Sequence, residues 1–322
     1  MDFVIRTHAS PEVGFGHLNR CKILSDAIRS EGGQVKILVN SHPSIKNFVN
    51  DSKIKFFKDI NHIEWPDADC CIVDLYCFET LFYKKLSKIY KKLIIFDDFN
   101  YKVPSYVSGV INGNIYAKRE KYPIKIKSYI GVDYFLMRTE FLGKKQFANA
   151  KNILVCMGGS DPEEQTDRVL KVLSEVTKRK IDVVFGPGFE DKLVIQKWSS
   201  HPRTNIHISV SNMSFLMERA AFCVSSAGSI LYELSHLGIP TICISLIEHQ
   251  RLIAEAFSKI NAVNYIGYFD EISNSEIARE IKILDQNKSI REKLSKNSRF
   301  ILDGLGSQRL AKELMNWIQS KN

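Results

Sequence analysis

The chain has 322 residues, of which 44% are hydrophobic and 25% are charged, and its formal net charge is +9. This length predicts two globular domains, and the composition excludes a disordered, low-complexity or short-period repeat protein. The N-terminus lacks the pattern of a signal peptide, and no apolar run approaches the ~18 residues of a membrane span. We therefore expect a cytoplasmic protein without stable membrane insertion.

The positive charge by itself is compatible with nucleic-acid binding. However, the lysines are scattered over segments that read as exposed helix faces, as in Tyr83–Lys88. We therefore expect no nucleic-acid partner, and the charge also suits an anionic substrate or transient contact with a membrane surface. The seven cysteines show no metal-type spacing and mostly lie in apolar runs, which predicts free core thiols and a reducing compartment.

The first half of the chain alternates short apolar runs with amphipathic stretches. The predicted helices are His17–Ser30, which has apolar residues at a helical period, and Phe78–Tyr90. This alternation predicts a parallel sheet that is covered on both faces. The predicted strands are Phe3–Thr7, Val35–Val39, Ala68–Asp74, Leu93–Phe96 and Val110–Asn112.

The second half repeats the plan, with predicted helices at Glu163–Thr177, from Ser229, from Glu248, at Ser275–Leu284 and at Gln308–Gln319. Its predicted strands are Ile153–Met157, Ile181–Phe185, Phe222–Ser225 and Thr241–Ile244. We therefore predict an α/β protein with two Rossmann-like, doubly wound domains that face a cleft. The expected boundaries are 1–137 and 152–322, joined by a polar linker at 138–151. Ligands of such sheets bind outside the carboxyl ends of the strands.

A glycine-containing segment follows the first strand and opens the first helix. Gly14 and Gly16 let the backbone turn tightly and approach a ligand. The helix N-terminus offers amide groups and a positive dipole end, which suit an anion. His17 lies in the first turn, where an imidazole suits a general base near neutral pH. A histidine that only caps or packs the helix is the alternative.

Small residues also precede the helix that begins at Ser229. Ser226, Gly228 and Ser229 can present amides and hydroxyls to a diphosphate. Glu233 lies about one turn further on, within reach of ribose hydroxyls. The alternative is a plain helix cap followed by a solvent-exposed carboxylate.

Three other strand ends carry polar residues. The turn Met157–Asp161 could face the ligand, or Asp161 could cap a helix that has proline in its first turn. Tyr76 could donate a hydrogen bond to a sugar or have a structural role. The pair Asp97-Asp98 could bind a metal, share a proton or cap a turn. The eight histidines show no metal-ligand spacing, so we expect no metal.

Several longer motifs add to these features over most of the chain. They are Gly14-Phe15-Gly16-His17 with Arg20, Val73-Asp74-Leu75-Tyr76, Phe96-Asp97-Asp98, Ile111-Asn112-Gly113-Asn114-Ile115-Tyr116-Ala117, Gly131-Val132-Asp133-Tyr134 with Arg138, Cys156-Met157-Gly158-Gly159-Ser160-Asp161, and Ser225–Glu233. On these residues the chain resembles the UDP-sugar hydrolases of pseudaminic acid biosynthesis (PseG type). That family is related to the GT-B glycosyltransferases such as the peptidoglycan transferase MurG.

The resemblance implies a GT-B fold and hydrolysis of UDP-2,4-diacetamido-2,4,6-trideoxy-β-L-altrose to the free sugar and UDP, without metal or cofactor. It implies that His17 activates water, that Tyr76 lies near the sugar, and that Glu233 binds the ribose. The segment Val210–Met213 would line the uracil site and Ser226–Ser229 would hold the diphosphate. We expect a monomer. The full set of expected substrate-binding residues is Gly14, Phe15, Gly16, Arg20, Asn112, Asn114, Gly158, Gly159, Met213, Ser226, Gly228, Ser229, Glu233, His249 and Gln250.

Two positions depart from the family pattern. The first strand ends Arg6-Thr7-His8 where the family has Arg-x-Asp, and His249-Gln250 stands where the family has Asn-Gln. These changes leave the sugar and the acceptor open. A GT-B glycosyltransferase, a UDP-sugar 2-epimerase and a non-catalytic nucleotide-sugar sensor are the alternatives.

Overall fold

The computed structural model describes residues 1–10, 15–40, 54–57, 64–75, 80–99, 103–144, 150–159, 161 and 164–320. The chain divides into two compact units, each built on one sheet. The first unit comprises Met1–Met137 and Gly304–Asn322, and the second comprises Arg138–Asp303.

The described elements alternate between strands and helices along the chain. The strands are β1 (Asp2–Thr7), β2 (Gln34–Asn40), β3 (Ile54–Phe57), β4 (Cys70–Asp74), β5 (Lys92–Phe96), β6 (Gly109–Asn112), β7 (Lys127–Ile130), β8 (Asn152–Cys156), β9 (Ile181–Phe185), β10 (Thr204–Ile208), β11 (Ala220–Ser226), β12 (Thr241–Ser245) and β13 (Asn264–Tyr268). The α-helices are α1 (Gly16–Ser30), α2 (Thr80–Ile89), α3 (Gln165–Val176), α4 (Lys192–Ser199), α5 (Met213–Glu218), α6 (Ser229–Leu237), α7 (Glu248–Lys259), α8 (Asn274–Gln286), α9 (Lys288–Ser298) and α10 (Gly306–Gln319).

The first unit contains a parallel sheet in the order β3-β2-β1-β4-β5-β6-β7. Side chains alternate between the two faces of a strand. Phe3 and Ile5 of β1 pack in one apolar cluster with α1 and α10. Val4 belongs to a second cluster with Tyr83 and Leu86 of α2. Both faces of the sheet are therefore covered, as the sequence predicts.

The second unit contains a parallel sheet in the order β10-β9-β8-β11-β12-β13. Its apolar core joins Ile153 and Val155 of β8 to buried residues of α3 and α8. The strand order reverses between β1 and β4 in the first sheet and between β8 and β11 in the second. Such reversals are where doubly wound sheets bind their ligands.

The predicted strands correspond to the interior strands of both sheets, and the four that the sequence pattern missed are the edge strands β3, β7, β10 and β13. Interior strands such as β4 and β11 are buried along their whole length and read as continuous apolar runs. The edge strand β13 is only partly buried at every position. Its sequence therefore lacks the apolar run that marks a strand.

The expected domain boundaries differ from the structure in two places. Residues from Gly304 onward belong to the first unit, because Leu310 and Leu314 of α10 share an apolar cluster with Leu24 and Ile28 of α1. The second unit already begins at Arg138. The first residues of the predicted linker therefore belong to the second unit, where Arg138 pairs with Glu233 and Lys144 with Glu218.

Among the described residues, no helix combines the length and the apolar character that crossing a membrane requires. The cysteines follow the sequence prediction: Cys21, Cys70, Cys71, Cys156, Cys223 and Cys243 are buried free thiols. Cys77 lies outside the described residues.

Candidate functional site

A histidine–aspartate pair occupies the carboxyl end of the first sheet, where the strand order reverses. Asp74 is the last residue of β4, and His17 lies in the first turn of α1. His17 Nδ1 lies 2.6 Å from Asp74 Oδ1. The Asp74 carboxylate is completely buried, whereas 15% of the His17 side chain is exposed. The imidazole is therefore accessible to a ligand, while the buried carboxylate restrains it through the contact with Nδ1.

Arg20, which lies one turn further along α1, donates hydrogen bonds to both oxygens of the Asp74 carboxylate. Its Nε donates to Asp74 Oδ2 at 2.6 Å and its Nη2 to Asp74 Oδ1 at 2.5 Å. The same guanidinium donates to Asp98 Oδ1 at 3.0 Å and lies 4.6 Å from the centre of the Phe96 ring. A planar guanidinium suits such a two-carboxylate bridge, because its donors form a rigid fork. We call His17, Arg20, Asp74 and Asp98 the acid–base cluster.

The charges in the acid–base cluster fix the tautomer of His17. Burial alone would raise the pKa of Asp74, but Arg20 and then His17 hold it well below its usual range. An ionised Asp74 can only accept hydrogen bonds, so at 2.6 Å the protonated Nδ1 of His17 donates a hydrogen bond to the carboxylate. Arg20 Nη2 lies 3.1 Å from the same nitrogen, and because it is itself a donor this longer contact is not a hydrogen bond in that tautomer. The lone pair of His17 is then on Nε2, which is the arrangement of a general base oriented by a carboxylate.

A polar network extends the cluster toward β6. Asn114 Nδ2 donates to Asp98 Oδ1 at 2.9 Å and to Asn112 Oδ1 at 2.9 Å. Asn112 Nδ2 in turn donates to the Tyr122 hydroxyl at 3.0 Å, and this hydroxyl donates to Asp97 Oδ2 at 3.0 Å. Asn112 was predicted to bind substrate, but it is completely buried. It therefore supports Asn114 from inside the protein.

The two acidic residues after β5 have separate roles. Asp98 belongs to the acid–base cluster, and Arg20 lowers its pKa against the opposing effect of burial. Asp97 accepts the Phe99 amide at 3.0 Å within a turn. Asp97 therefore accepts within a turn, as the turn-capping interpretation expects. Among the described residues, no group of three or more acidic, histidine or cysteine side chains could hold a metal ion.

The second unit presents backbone groups at the corresponding sheet reversal. Gly158 follows β8 with φ of +97°, a conformation that favours glycine. The turn that it forms is packed closely, because a Cβ on Gly186 would lie 2.3 Å from the carbonyl oxygen of Gly159. Gly188 also donates its amide to that oxygen at 2.8 Å. Two glycine-containing turns, at residues 158–159 and 186–188, therefore support one another.

The helix α6 opens directly after β11 at the same edge. Its N-cap residue is Gly228, which has no side chain that could accept from the first-turn amides. A Cβ on Gly228 or on Gly159 would meet no atom within 4 Å. Open space in front of uncapped helix amides suits an anionic group. Ser229 is exposed, whereas Ser226 is 1% exposed. We call Gly158, Gly159 and residues 226–229 the backbone site.

Glu233 of α6 forms a two-pronged ion pair with Arg138. Arg138 Nε and Nη2 each donate to one Glu233 carboxylate oxygen at 2.7 Å. Arg138 also contacts Glu140 at 2.8 Å, and Glu140 Oε2 accepts the Met213 amide at 3.1 Å. Met213 is 5% exposed. The expected ribose carboxylate, Glu233, and the last residue of the expected uracil segment, Met213, therefore belong to one connected network.

Asp161 and the predicted ligand residue Gln250 both accept hydrogen bonds from the protein backbone. Asp161 accepts the amides of Gln165 at 3.0 Å and Thr166 at 2.8 Å, so it binds the first turn of α3, although the N-cap residue of that helix is Glu164. Gln250, in the first turn of α7, accepts the Leu246 amide at 2.9 Å through Oε1. His249 precedes it and is half-buried.

The structure brings together part of the predicted site and adds residues that the sequence did not single out. His17 and Arg20 meet in the first unit, with Phe15 and Gly16 at the start of α1. Gly14 and Tyr76 lie outside the described residues. Asp74 and Arg138 were quoted only within motifs, whereas Asp98 was considered as half of the pair Asp97-Asp98. Carboxylates placed directly after buried strands were the available signal for Asp74 and Asp98.

Comparison with known proteins gives one family match and several relatives. Residues 153–314 match the model of the glycosyltransferase family 28 C-terminal domain. The chain is similar to an uncharacterized protein of Methanocaldococcus jannaschii, with 29% identity over 312 residues that cover 86% of this chain and 63% of that protein. The chain thus spans less than two thirds of the length of that relative.

Two other relatives carry functional names. The spore coat polysaccharide biosynthesis protein SpsG of Bacillus subtilis is 22% identical over 315 residues, which cover 92% of both chains. A Campylobacter jejuni protein named UDP-2,4-diacetamido-2,4,6-trideoxy-β-L-altropyranose hydrolase is 27% identical over 251 residues, or 72% of this chain and 87% of that protein.

The structural likeness extends over the whole chain. The crystal structure of Acinetobacter baumannii MurG matches with a TM-score of 0.65 at 13% identity, covering 98% of this chain and 100% of that one. Together with the two parallel sheets, this shows the two-domain α/β GT-B fold that the sequence motifs predict.

Proposed function

The chain belongs to glycosyltransferase family 28, whose C-terminal domain it carries at residues 153–314, and we propose that it is a UDP-sugar hydrolase. The proposed substrate is a UDP-linked diacetamido-trideoxy sugar, and the products are the free sugar and UDP. The observation that carries this proposal is the 2.6 Å contact between His17 and Asp74, with Arg20 across the carboxylate. The name of the Campylobacter jejuni relative supports the substrate class.

In this proposal His17 is the general base. Its Nε2 takes a proton from water as the water oxygen bonds to the anomeric carbon and the bond from that carbon to the UDP oxygen breaks. Asp74, which accepts from Nδ1, stabilises the imidazolium that forms. Base catalysis of this kind contributes ~10²–10⁴-fold to the rate. The electron pair of the broken bond leaves with UDP.

The second unit would bind the nucleotide part of the substrate. The uncapped amides of α6 and the turn at Gly158 would stabilise the negative charge on the leaving diphosphate. Glu233 would accept ribose hydroxyls while Arg138 fixes its orientation. A carboxylate oxygen has more than one acceptor position, so the ion pair with Arg138 is compatible with ribose binding.

Family membership favours a second candidate, a glycosyltransferase that uses the same donor. The same base would then deprotonate an alcohol of an acceptor instead of water. The two candidates agree on the donor and on the role of His17. They differ in whether the sugar is released when water is the only acceptor.

The deciding experiment is an assay without acceptor. The purified protein is incubated with UDP-2,4-diacetamido-2,4,6-trideoxy-β-L-altrose and EDTA, and UDP and the free sugar are followed by NMR. Release of both products at equal rates supports the hydrolase. Tight UDP binding without release would overturn hydrolysis of this sugar and favour the transferase.

The His17→Asn variant tests the base. We expect its kcat to fall by ~10²–10⁴-fold, the usual contribution of a positioned base. UDP affinity, measured by calorimetry, should stay unchanged, because His17 lies in the other unit from the proposed UDP-binding residues. Near-normal kcat in this variant would show that the base is a different group.

A further inference from the structure

A second imidazole packs against His17. His8 directly follows β1, and its ring centre lies 4.7 Å from that of His17 with the two planes at 89°. This is an edge-to-face contact, a favourable geometry for aromatic rings. The proposed mechanism does not use His8, and the hydrolase family that the chain resembles has aspartate at this position.

Among the described residues, Asp74, Arg20 and His8 contact the His17 ring. The torsion that rotates a histidine ring is broad, without sharp staggered minima. The hydrogen bond from Nδ1 to Asp74 restrains one edge of the ring. The contact with His8 adds a restraint on the ring plane. Small errors in the placement of a reacting group are costly, since a misplacement of about 1 Å can reduce a rate ~10²-fold.

The surroundings of His8 keep it uncharged at neutral pH. Burial and then the adjacent His17 lower its pKa from the ordinary value to about 4. The charged groups that face it are Arg6 on β1, Asp74 on β4 and Arg20 on α1, and the two arginines act in the same direction. A neutral ring cannot replace Asp74 as the charged partner of His17, so its contribution comes from packing.

We propose that His8 is a positioning residue that fixes the ring plane of His17 by edge-to-face packing, so that Nε2 points toward the reacting water. This inference rests on the proposed role of His17 as the base. In this chain the neighbour of the base acts through shape, whereas an aspartate at the same position would act through charge.

Three substitutions separate shape from charge. His8→Ala removes the ring and should lower kcat about tenfold with KM unchanged, because the base is misplaced while substrate binding is retained. His8→Phe restores a flat ring without nitrogen atoms and should recover most of that loss. His8→Asp should move the acidic limb of the pH–rate profile to higher pH by about one unit, because a nearby carboxylate stabilises an imidazolium. His201→Ala is the matched control, since its ring packs 5.4 Å from Trp198 in the second unit.

A measurement on the resting protein makes the test independent of turnover. Ring ¹⁵N spectra of His17 should show one sharp Nδ1–H tautomer in the wild type and in His8→Phe, and exchange-broadened signals in His8→Ala. Activity of His8→Ala at the wild-type level, or a sharp His17 signal in it, would overturn the proposal. Failure of His8→Phe to recover activity would also overturn it, since the ring nitrogens would then be required. Absence of wild-type turnover refutes only the hydrolase function, because the spectra still report on His8.

Discussion

The two units place different kinds of groups at equivalent positions of similar sheets. In the first unit the sheet reversal carries ionised side chains, with Arg20 between two carboxylates and beside His17. In the second unit the reversal carries glycines and helix amides, and the ion pair between Arg138 and Glu233 lies one turn further along α6. One architecture therefore presents charged side chains at the reversal in one unit and backbone amides in the other.

The difference follows from what each site is proposed to do. A base must be held in one tautomer and orientation, which requires partners of defined charge. A diphosphate is recognised by many weakly polar donors, which helix amides supply without mobile side chains. We therefore expect side-chain substitutions to act most strongly in the first unit, and backbone substitutions to act mainly in the second.

The largest effect is expected for Asp74→Asn. The amide has nearly the shape of the carboxylate, but it no longer favours the Nδ1–H tautomer and it leaves Arg20 with one anionic partner fewer. We expect kcat to fall by roughly 10³–10⁴-fold, as for loss of the carboxylate in a catalytic triad. We also expect a loss of about 3–5 kcal/mol in the free energy of unfolding. Steady-state kinetics and urea unfolding measure the two effects.

The matched control is Asp26→Asn on α1. Its carboxylate is 72% exposed and pairs with Arg29 at 3.3 Å. Exposed pairs contribute about 0–1 kcal/mol. If Asp74→Asn were as mild as this control, the acid–base cluster would have no special role.

A smaller effect is expected for Glu233→Ala in the second unit. The substitution removes the proposed ribose acceptor and leaves Arg138 without its two-pronged partner. We expect the Kd of UDP to rise roughly tenfold to a hundredfold, since hydrogen bonds to charged groups contribute about 1.5–3 kcal/mol. Calorimetry with UDP measures it, and Glu255→Ala on the exposed side of α7 is the control. Unchanged UDP affinity would remove Glu233 from the ribose site.

The next smaller effect is expected on acidification, through two carboxylates of the first unit. Asp74 and Asp98 have pKa values below their usual range in the folded protein. Their stabilisation is thus complete above the unfolded value of about 4 and is lost as the pH falls from there through the folded values. We expect the urea midpoint to decrease below about pH 4, and to decrease less steeply in Asp74→Asn. Equal slopes for the two proteins would contradict this assignment.

The smallest effect is expected for Gly158→Ala. The added Cβ would meet Ser226 Oγ at 3.4 Å, an ordinary contact, so the cost comes from the φ of +97°. We expect a loss of about 1–2 kcal/mol in the free energy of unfolding together with weaker UDP binding. Gly159→Ala is the control, because its Cβ meets nothing within 4 Å. An equal or greater loss of stability in Gly159→Ala would show that the positive φ of Gly158 is not what makes this turn sensitive to substitution.

The sequence pattern predicted the interior strands of both sheets but not their edge strands. Strands such as β5, which is buried at four of its five positions, carry an apolar run that identifies them. The edge strand β10 contains Asn205 and His207, whose side chains contact Asp182 on the neighbouring strand β9. Polar residues of this kind can be recognised as part of a strand only when their contacts with the neighbouring strand are known. Local pattern therefore could not identify β10.

The site residues also divide into those that the sequence could predict and those that it could not. Helix-opening residues such as His17 could be predicted, because strand-to-helix turns are visible in the sequence. Their partners could not be assigned, since a pattern does not show which strand ends meet. Arg138 was assigned to a linker, although it binds Glu233 from 95 positions away. Arg20 was predicted to contact substrate, and its observed contacts are with Asp74 and Asp98.

The position of α10 affects how this chain could be recombined with relatives. The helix lies in the first unit and packs on α1, although it follows the whole second unit in the chain. An exchange at a single junction near residue 137 would therefore remove α10 from its own core and expose the apolar face of α1. An exchange that keeps the core of the first unit intact would replace the internal segment Arg138–Asp303 and retain the two flanking segments.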